Sequence, residues 1–124
     1  MSPQPDDVEP EPVVVRVRCR VHAPADHGRL TGAVLRVSLE DVSLADAPAV
    51  VVASAQRPLR TSDDLAEPVE LSASLSGRRT YTVRAHVSRT GERQVRVADL
   101  LSTSSHPVRA VPGTVDVDVE LREV

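Results

Sequence analysis

From Val13 the chain alternates: Val13, Val15, Val17, Cys19 and Val21 fill the odd positions, and Val14, Arg16, Arg18 and Arg20 the even ones. A repeat of two places every second side chain on one face of an extended strand, and no helix can gather such a set on one side. The same alternation closes the chain, with Val115, Val117, Val119 and Leu121 set against Asp116, Asp118, Glu120 and Arg122. Both ends therefore predict half-buried strands. Composition strengthens the reading: 23 valines, 11 leucines and 13 alanines stand beside no isoleucine, phenylalanine or tryptophan. Short, mostly β-branched side chains are stiff at χ1 and favour extended backbone.

Between the two end strands the pattern predicts five more. One runs from about Ala33 to Val42 with Leu35, Val37 and Leu39 inward, and another covers Ala49 to Gln56. In the latter, Ala49 to Ala53 is apolar on both faces, so alternation leaves its register open. If Val51, Ala53 and Ala55 face the core, Val50 and Val52 point outward. A fourth strand spans Val69 to Leu75 and a fifth begins at Tyr81. Tyr81, the single aromatic, is expected to be the bulkiest inward residue. A sixth strand is predicted to begin at Val95 and Val97, with a bulge near Ala98, where Asp99 breaks the alternation. At most a helical turn fits, at Ser62 to Ala66.

Turn signals at Pro24, Gly28, Pro58, Gly77, Gly91, Pro107 and Gly113 separate these runs. Seven short strands at this spacing predict an all-β fold, an immunoglobulin-like two-sheet sandwich. Residues 1–12 hold four of the ten prolines beside Asp6, Asp7, Glu9 and Glu11, which predicts a flexible acidic tail ahead of one domain over 13–124. Arg16, Arg18 and Arg20 make a basic stripe, and Asp116, Asp118 and Glu120 an acidic one. Opposite charges satisfy each other best on adjacent strands, so first and last strands are expected to pair.

Charge and motif content narrow the function. A net charge of −3 gives no general attraction to phosphate backbones, so nucleic acid is not an expected partner. The longest aliphatic run, Ala47 to Ala55, is broken by Pro48 and Ser54 and falls short of the roughly 20 residues a membrane span needs. Met1 to Pro12 lacks the basic start and apolar stretch of a signal peptide, so the sequence as it stands reads as cytoplasmic, and as envelope or periplasmic if the true start lies upstream. Lone Cys19 can form no internal disulfide. His22, Asp26 and His27 lack the further ligands of a structural zinc site, and no metal or other cofactor is expected. His86 and His106 read as solvated. Asp99, Ser102 and His106 have the residue types of a hydrolytic triad without a nucleophile elbow, and no catalytic residues are assigned.

The segment Val37-Ser38-Leu39-Glu40-Asp41-Val42-Ser43-Leu44-Ala45-Asp46-Ala47-Pro48-Ala49 is distinctive. It resembles the strand and following turn of the YbaY and YscW family of small bacterial β-sandwich lipoproteins, and Pro68 to Leu71, Tyr81 to Ala85 and the closing strand support the likeness. The resemblance implies an exported, lipid-anchored protein, and for the YscW branch a pilotin that delivers a secretin subunit of type III secretion. Cys19 follows Arg18 inside a strand, unlike the lipid-accepting cysteine of such proteins. Asp41, Ser43, Ala45, Asp46 and Pro48 read as an architectural turn, with Asp41 and Asp46 accepting backbone N–H bonds as the chain leaves the sheet.

The expected function is a non-catalytic protein-binding or assembly module, monomeric or weakly oligomeric, whose candidate contact residues are Val50, Val52, Arg16, Arg18 and Arg20. The alternative is a small-ligand or carbohydrate-binding accessory domain, poorly served by a single aromatic.

Overall fold

The computed structural model describes residues 11–124, so the expected acidic tail lies almost wholly outside the described residues. Eight strands follow in order: β1 (Val13–His22), β2 (Val34–Asp41), β3 (Val50–Pro58), β4 (Val69–Leu75), β5 (Tyr81–Ser88), β6 (Leu100–Ser102), β7 (Pro107–Val108) and β8 (Gly113–Glu123). Among the described residues the one helical turn is a 3-10 turn at Ser62–Ala66, where the sequence places it. Alternation translates directly into burial on β1, where Val15, Val17, Cys19 and Val21 are buried and Arg16, Arg18 and Arg20 exposed.

The all-β expectation holds, but hydrogen bonding does not stop between two sheets. It runs in one path, β3-β2-β5-β6-β8-β1-β4, with β7 added beside β5. The reason is the length of β8. Its first part, Gly113 to Glu120, pairs with β1, and its last residues, Leu121 to Glu123, pair with β6, so one strand belongs to both halves. The sheet curls until its end strands, β3 and β4, come into contact without a ladder between them. The result is a nearly closed, barrel-like arrangement.

First and last strands are neighbours, as their charge patterns predict, and they run parallel. Inward residues of β1, β2, β4, β5 and β8 share one core, with Leu30, Leu59 and Leu65 plugging it from the connections. Each fully buried valine or leucine contributes roughly 1.5–3 kcal/mol by leaving water. Tyr81 is buried, and its hydroxyl accepts a 2.9 Å hydrogen bond from the Ser76 N–H.

The predicted sixth strand is displaced. Val95 and Val97 are exposed, Val97 at 86%, and pairing starts only at Leu100. Residues 89–99 instead form a loop over the outer face of β5. Its centre is the buried Asp99 carboxylate, which accepts from the Arg89 N–H at 3.0 Å, the Arg96 N–H at 2.9 Å and His86 Nε2 at 2.9 Å. His86 is therefore buried and not solvated, as is Ser88 beside it. The irregularity read at Ala98 is real but is no bulge: Ala98 takes φ +77° within the turn that carries Asp99 back to the sheet.

Three arginines hold the loops. Arg89 donates from Nε to the Ala98 carbonyl at 2.6 Å, from Nη1 to the Arg29 carbonyl at 2.8 Å and from Nη2 to the His27 carbonyl. Arg36 donates to the carbonyls of Glu92 and Gly91 at 2.9 and 2.7 Å. Arg57 donates to the carbonyls of Asp64, Glu67 and Pro68 at 3.0, 2.9 and 3.0 Å. A planar fork with five N–H donors answers several carbonyls at once, which a lysine cannot do.

Candidate protein-binding surface

β3 is a sheet edge whose only ladder partner among the described residues is β2. The pairing shifts register between Leu39 and Glu40: Leu39 faces Ala53, but Glu40 faces Val51, leaving Val52 as the extra residue. A bulge reverses the side-chain alternation beyond it. Val51 thereby moves to the outer face, while Ala53 and Ala55 stay against the core. The register with Val51 inward is thus overturned for that residue. Val50, Val51 and Val52 are 61%, 56% and 38% exposed, a contiguous apolar patch at the open end of an edge strand. Toward its other end, Arg57 and the 3-10 turn cover the strand.

A groove of about 530 Å³ lies on the outer face beside this patch, lined by Arg36, Ser38, Val51, Ser54, Gln56 and Arg93 among others. Ser38 and Ser54 are register partners, as are Arg36 and Gln56, so β2 and β3 make its floor. The loop after β5 brings Arg93 over it. Among the described residues no carboxylate lines the groove. Of the nearby acids on this face, Glu40 meets Arg84 at 3.2 Å and accepts from the Ser38 hydroxyl at 2.7 Å, and Glu92 meets Arg96.

The arginine stripe of β1 lies between two acidic neighbours. In register, Arg18 stands beside Asp116 and Arg20 beside Asp118, while Arg16 meets Thr114. On the other side Arg18 Nη2 reaches Glu70 Oε1 of β4 at 3.3 Å, and at the strand end His22 Nε2 meets Asp118 Oδ1 at 2.9 Å. Exposed pairs of this kind contribute about 0–1 kcal/mol. Arg16, Arg18 and Arg20 stand exposed on the outer face of β1, which shares no ladder with the strand of Val50 and Val52 among the described residues.

The turn after β2 is tied down by one carboxylate. Asp41 Oδ1 accepts from the Ser43 N–H at 2.9 Å and the Ser43 hydroxyl at 2.6 Å, and Oδ2 meets Arg79 at 3.3 Å. The Ser43 hydroxyl in turn accepts from the Thr80 N–H at 2.8 Å, joining this turn to the β4–β5 connection. The Ser43 hydrogen bonds, first of all, hold the Asp41 carboxyl below the usual carboxylate range. Ala45, Asp46 and Pro48 are exposed, and among the described residues no hydrogen bond to Asp46 accompanies them. Only Asp41 carries the expected bonding role.

The triad residue types do not assemble. Asp99 bonds His86, Ser102 Oγ accepts from the Ala85 N–H at 3.0 Å, and the His106 N–H donates to Thr82 Oγ1 at 3.0 Å. Burial pushes the Asp99 carboxyl up, but the bonds from Arg89, His86 and Arg96 outweigh it and hold it below its ordinary value. Burial pushes the Cys19 thiol up to about 11, which suppresses the reactive thiolate. His27 Nδ1 sits 2.5 Å from the Gly28 carbonyl, and among the described residues no three potential metal ligands converge.

Val51, Arg93 and Gln56 are site residues that sequence reasoning missed. Val51 depends on a bulge, and Arg93 on a loop folding back across β2, neither of which alternation reports.

Comparison with known proteins agrees with the architecture. A solved structure described as an alternative pilotin from the type II secretion system of Vibrio cholerae shares the fold, with a TM-score of 0.60 over 92% of this chain and 100% of that one, at 19% identity. No curated protein shows significant sequence similarity. The family model of the type III secretion system lipoprotein chaperone YscW matches residues 13–121, nearly the whole described sheet, and the chain belongs to that family.

Proposed function

We propose that this protein is a non-catalytic accessory of a secretion system that binds another protein, as a pilotin binds a secretin subunit. The observation that carries the reading is the exposed Val50-Val51-Val52 run on an edge strand. Sheet edges are normally blunted by lysine, proline or short length, because free N–H and C=O groups invite pairing with another chain. Here the open stretch from Val50 to Gln56 contains neither charge nor proline. Membership of the YscW family and the likeness to a pilotin support a chaperone-like role in secretion. Supporting the non-catalytic reading, Asp99 bonds His86 and Ser102 Oγ accepts from the Ala85 N–H, and no hydrogen bond among the described residues joins either of them to the His106 ring.

The test is affinity purification of the tagged full chain from its own cell, with secretion-system subunits quantified by mass spectrometry. Enrichment of a secretin-type subunit, lost when Val50 and Val52 are both changed to glutamate, is the expected result. Recovery of the free protein alone under several growth conditions would overturn the reading.

The groove of about 530 Å³ exceeds the roughly 300 Å³ of a small-molecule site, which favours a ligand-binding function as the second reading. Tyr81, the one aromatic, is buried and does not line it. A thermal-shift screen of sugars and small carboxylates that raises Tm by several degrees would support this second reading over the first.

A further inference from the structure

Three properties coincide on β3. Among the described residues its outer ladder edge is unpaired along Val50 to Gln56, its exposed side chains there are apolar or neutral, and the groove on its outer face is lined by two arginines. Glu40, which accepts from the Ser38 hydroxyl of the groove floor, is ion-paired with Arg84 and not with Arg36 or Arg93. Arg36 spends Nη1 and Nη2 on backbone carbonyls, which leaves its charge unneutralised, and its buried Nε has no partner. Arg93 is exposed and makes no ion pair among the described residues.

A strand added to this edge would lie about 4.8 Å from β3, with alternate side chains continuing the outer face beside Val51, Ser54 and Gln56. Those positions flank the groove that Arg36 and Arg93 line. We propose that β3 takes up an extended acidic segment of a partner polypeptide as an added strand. Carboxylates on its outward positions answer Arg93 and Arg36, and its apolar residues cover Val50 to Val52. The inference deepens the reading above and rests on the chain being a protein-binding accessory.

Charge selects this occupant over a second copy of the chain. β3 itself carries no carboxylate from Ala49 to Pro58, so pairing two β3 strands would leave both sets of arginines unanswered. Buried or semi-buried arginines without counter-charge are costly, whereas complementary charge across an interface sets specificity and register.

The experiment titrates the purified full chain with a short fluorescent peptide alternating glutamate and valine, and with the same peptide carrying lysine for glutamate. The expected result is that the glutamate peptide binds at least about tenfold more tightly, with the gap closing at high salt. Arg93→Glu should weaken it about tenfold by removing the complementary charge. Val52→Pro should abolish binding by spoiling the edge, and Val51→Glu, at an exposed position, serves in its place if the proline variant does not fold. Hydrogen exchange of residues 50–56 should slow on binding.

Four outcomes overturn the proposal: no binding of the glutamate peptide at millimolar concentration, equal affinity for both peptides, protection on a strand other than β3, or concentration-dependent self-association lost in Val52→Pro. The last would assign the edge to a second copy. If a secretin-type subunit co-purifies equally with wild type and the edge variants, the accessory function stands and strand addition fails. If the peptide binds as described and no secretion subunit is recovered, the edge chemistry stands and the accessory function fails.

Discussion

Asp99 shows how much one carboxylate can organise. It is 1% exposed and satisfies the backbone N–H groups of Arg89 and Arg96 in the loop and the ring of His86 on β5. Asp99→Ala strands those donors in a buried place, so unfolding free energy should fall by about 3–5 kcal/mol, measured by urea titration. Its neighbour Ala98 holds φ +77°, a region that costs an L side chain roughly 1–2 kcal/mol. Ala98→Gly removes that strain while adding freedom to the unfolded chain, so a net stabilisation of about 0.5–1 kcal/mol is expected in the same titration. In the sequence Asp99 registers only as a broken alternation, because which donors meet a carboxylate is a matter of where distant segments fold.

At the scale of elements, strands were legible and connections were not. β1, β4 and β8 follow their alternation because a one-residue slip would turn every valine outward, whereas on β5 Thr82, His86 and Ser88 of the second face are buried as well. β3 escapes this logic, since its first residues are apolar on both faces and a bulge resets them. The loops are shaped by arginines whose partners are carbonyls far along the chain, as with Arg89 on Arg29 and His27. Arg89→Lys keeps the charge but cannot span three carbonyls. We expect a loss of about 1.5–3 kcal/mol in unfolding free energy, with faster hydrogen exchange over residues 23–31 and 92–98 and little change on β1.

For the whole molecule, β8 decides the architecture by pairing with β1 and then β6, which welds the halves into one curled sheet. Its stability carries a pH signature. Asp41 and Asp99 both have folded-state pKa values below the ordinary 3.8, so more protons bind the unfolded chain than the native one in that range. Their contribution is fully present above about pH 5 and is lost as pH falls through 3.8 toward the folded values. Chemical denaturation from pH 7 to pH 2 should show this decline, and Asp99→Asn should flatten it. An unchanged slope in that variant would assign the acid sensitivity to other carboxylates.

The sequence by itself determined that this chain is all-β, where most strands lie, which faces are inward, and that its two charged end strands lie side by side. These follow from local periodicity and from charge signs, both properties of short windows of sequence. Only the tertiary structure decided that the sheet is one curled path, that His86 and Asp99 are buried together, and that Val51 joins Arg93 at an open edge. Those facts depend on contacts between segments far apart in the chain. A repeat of two describes the two faces of a strand but not the neighbour that each face will meet.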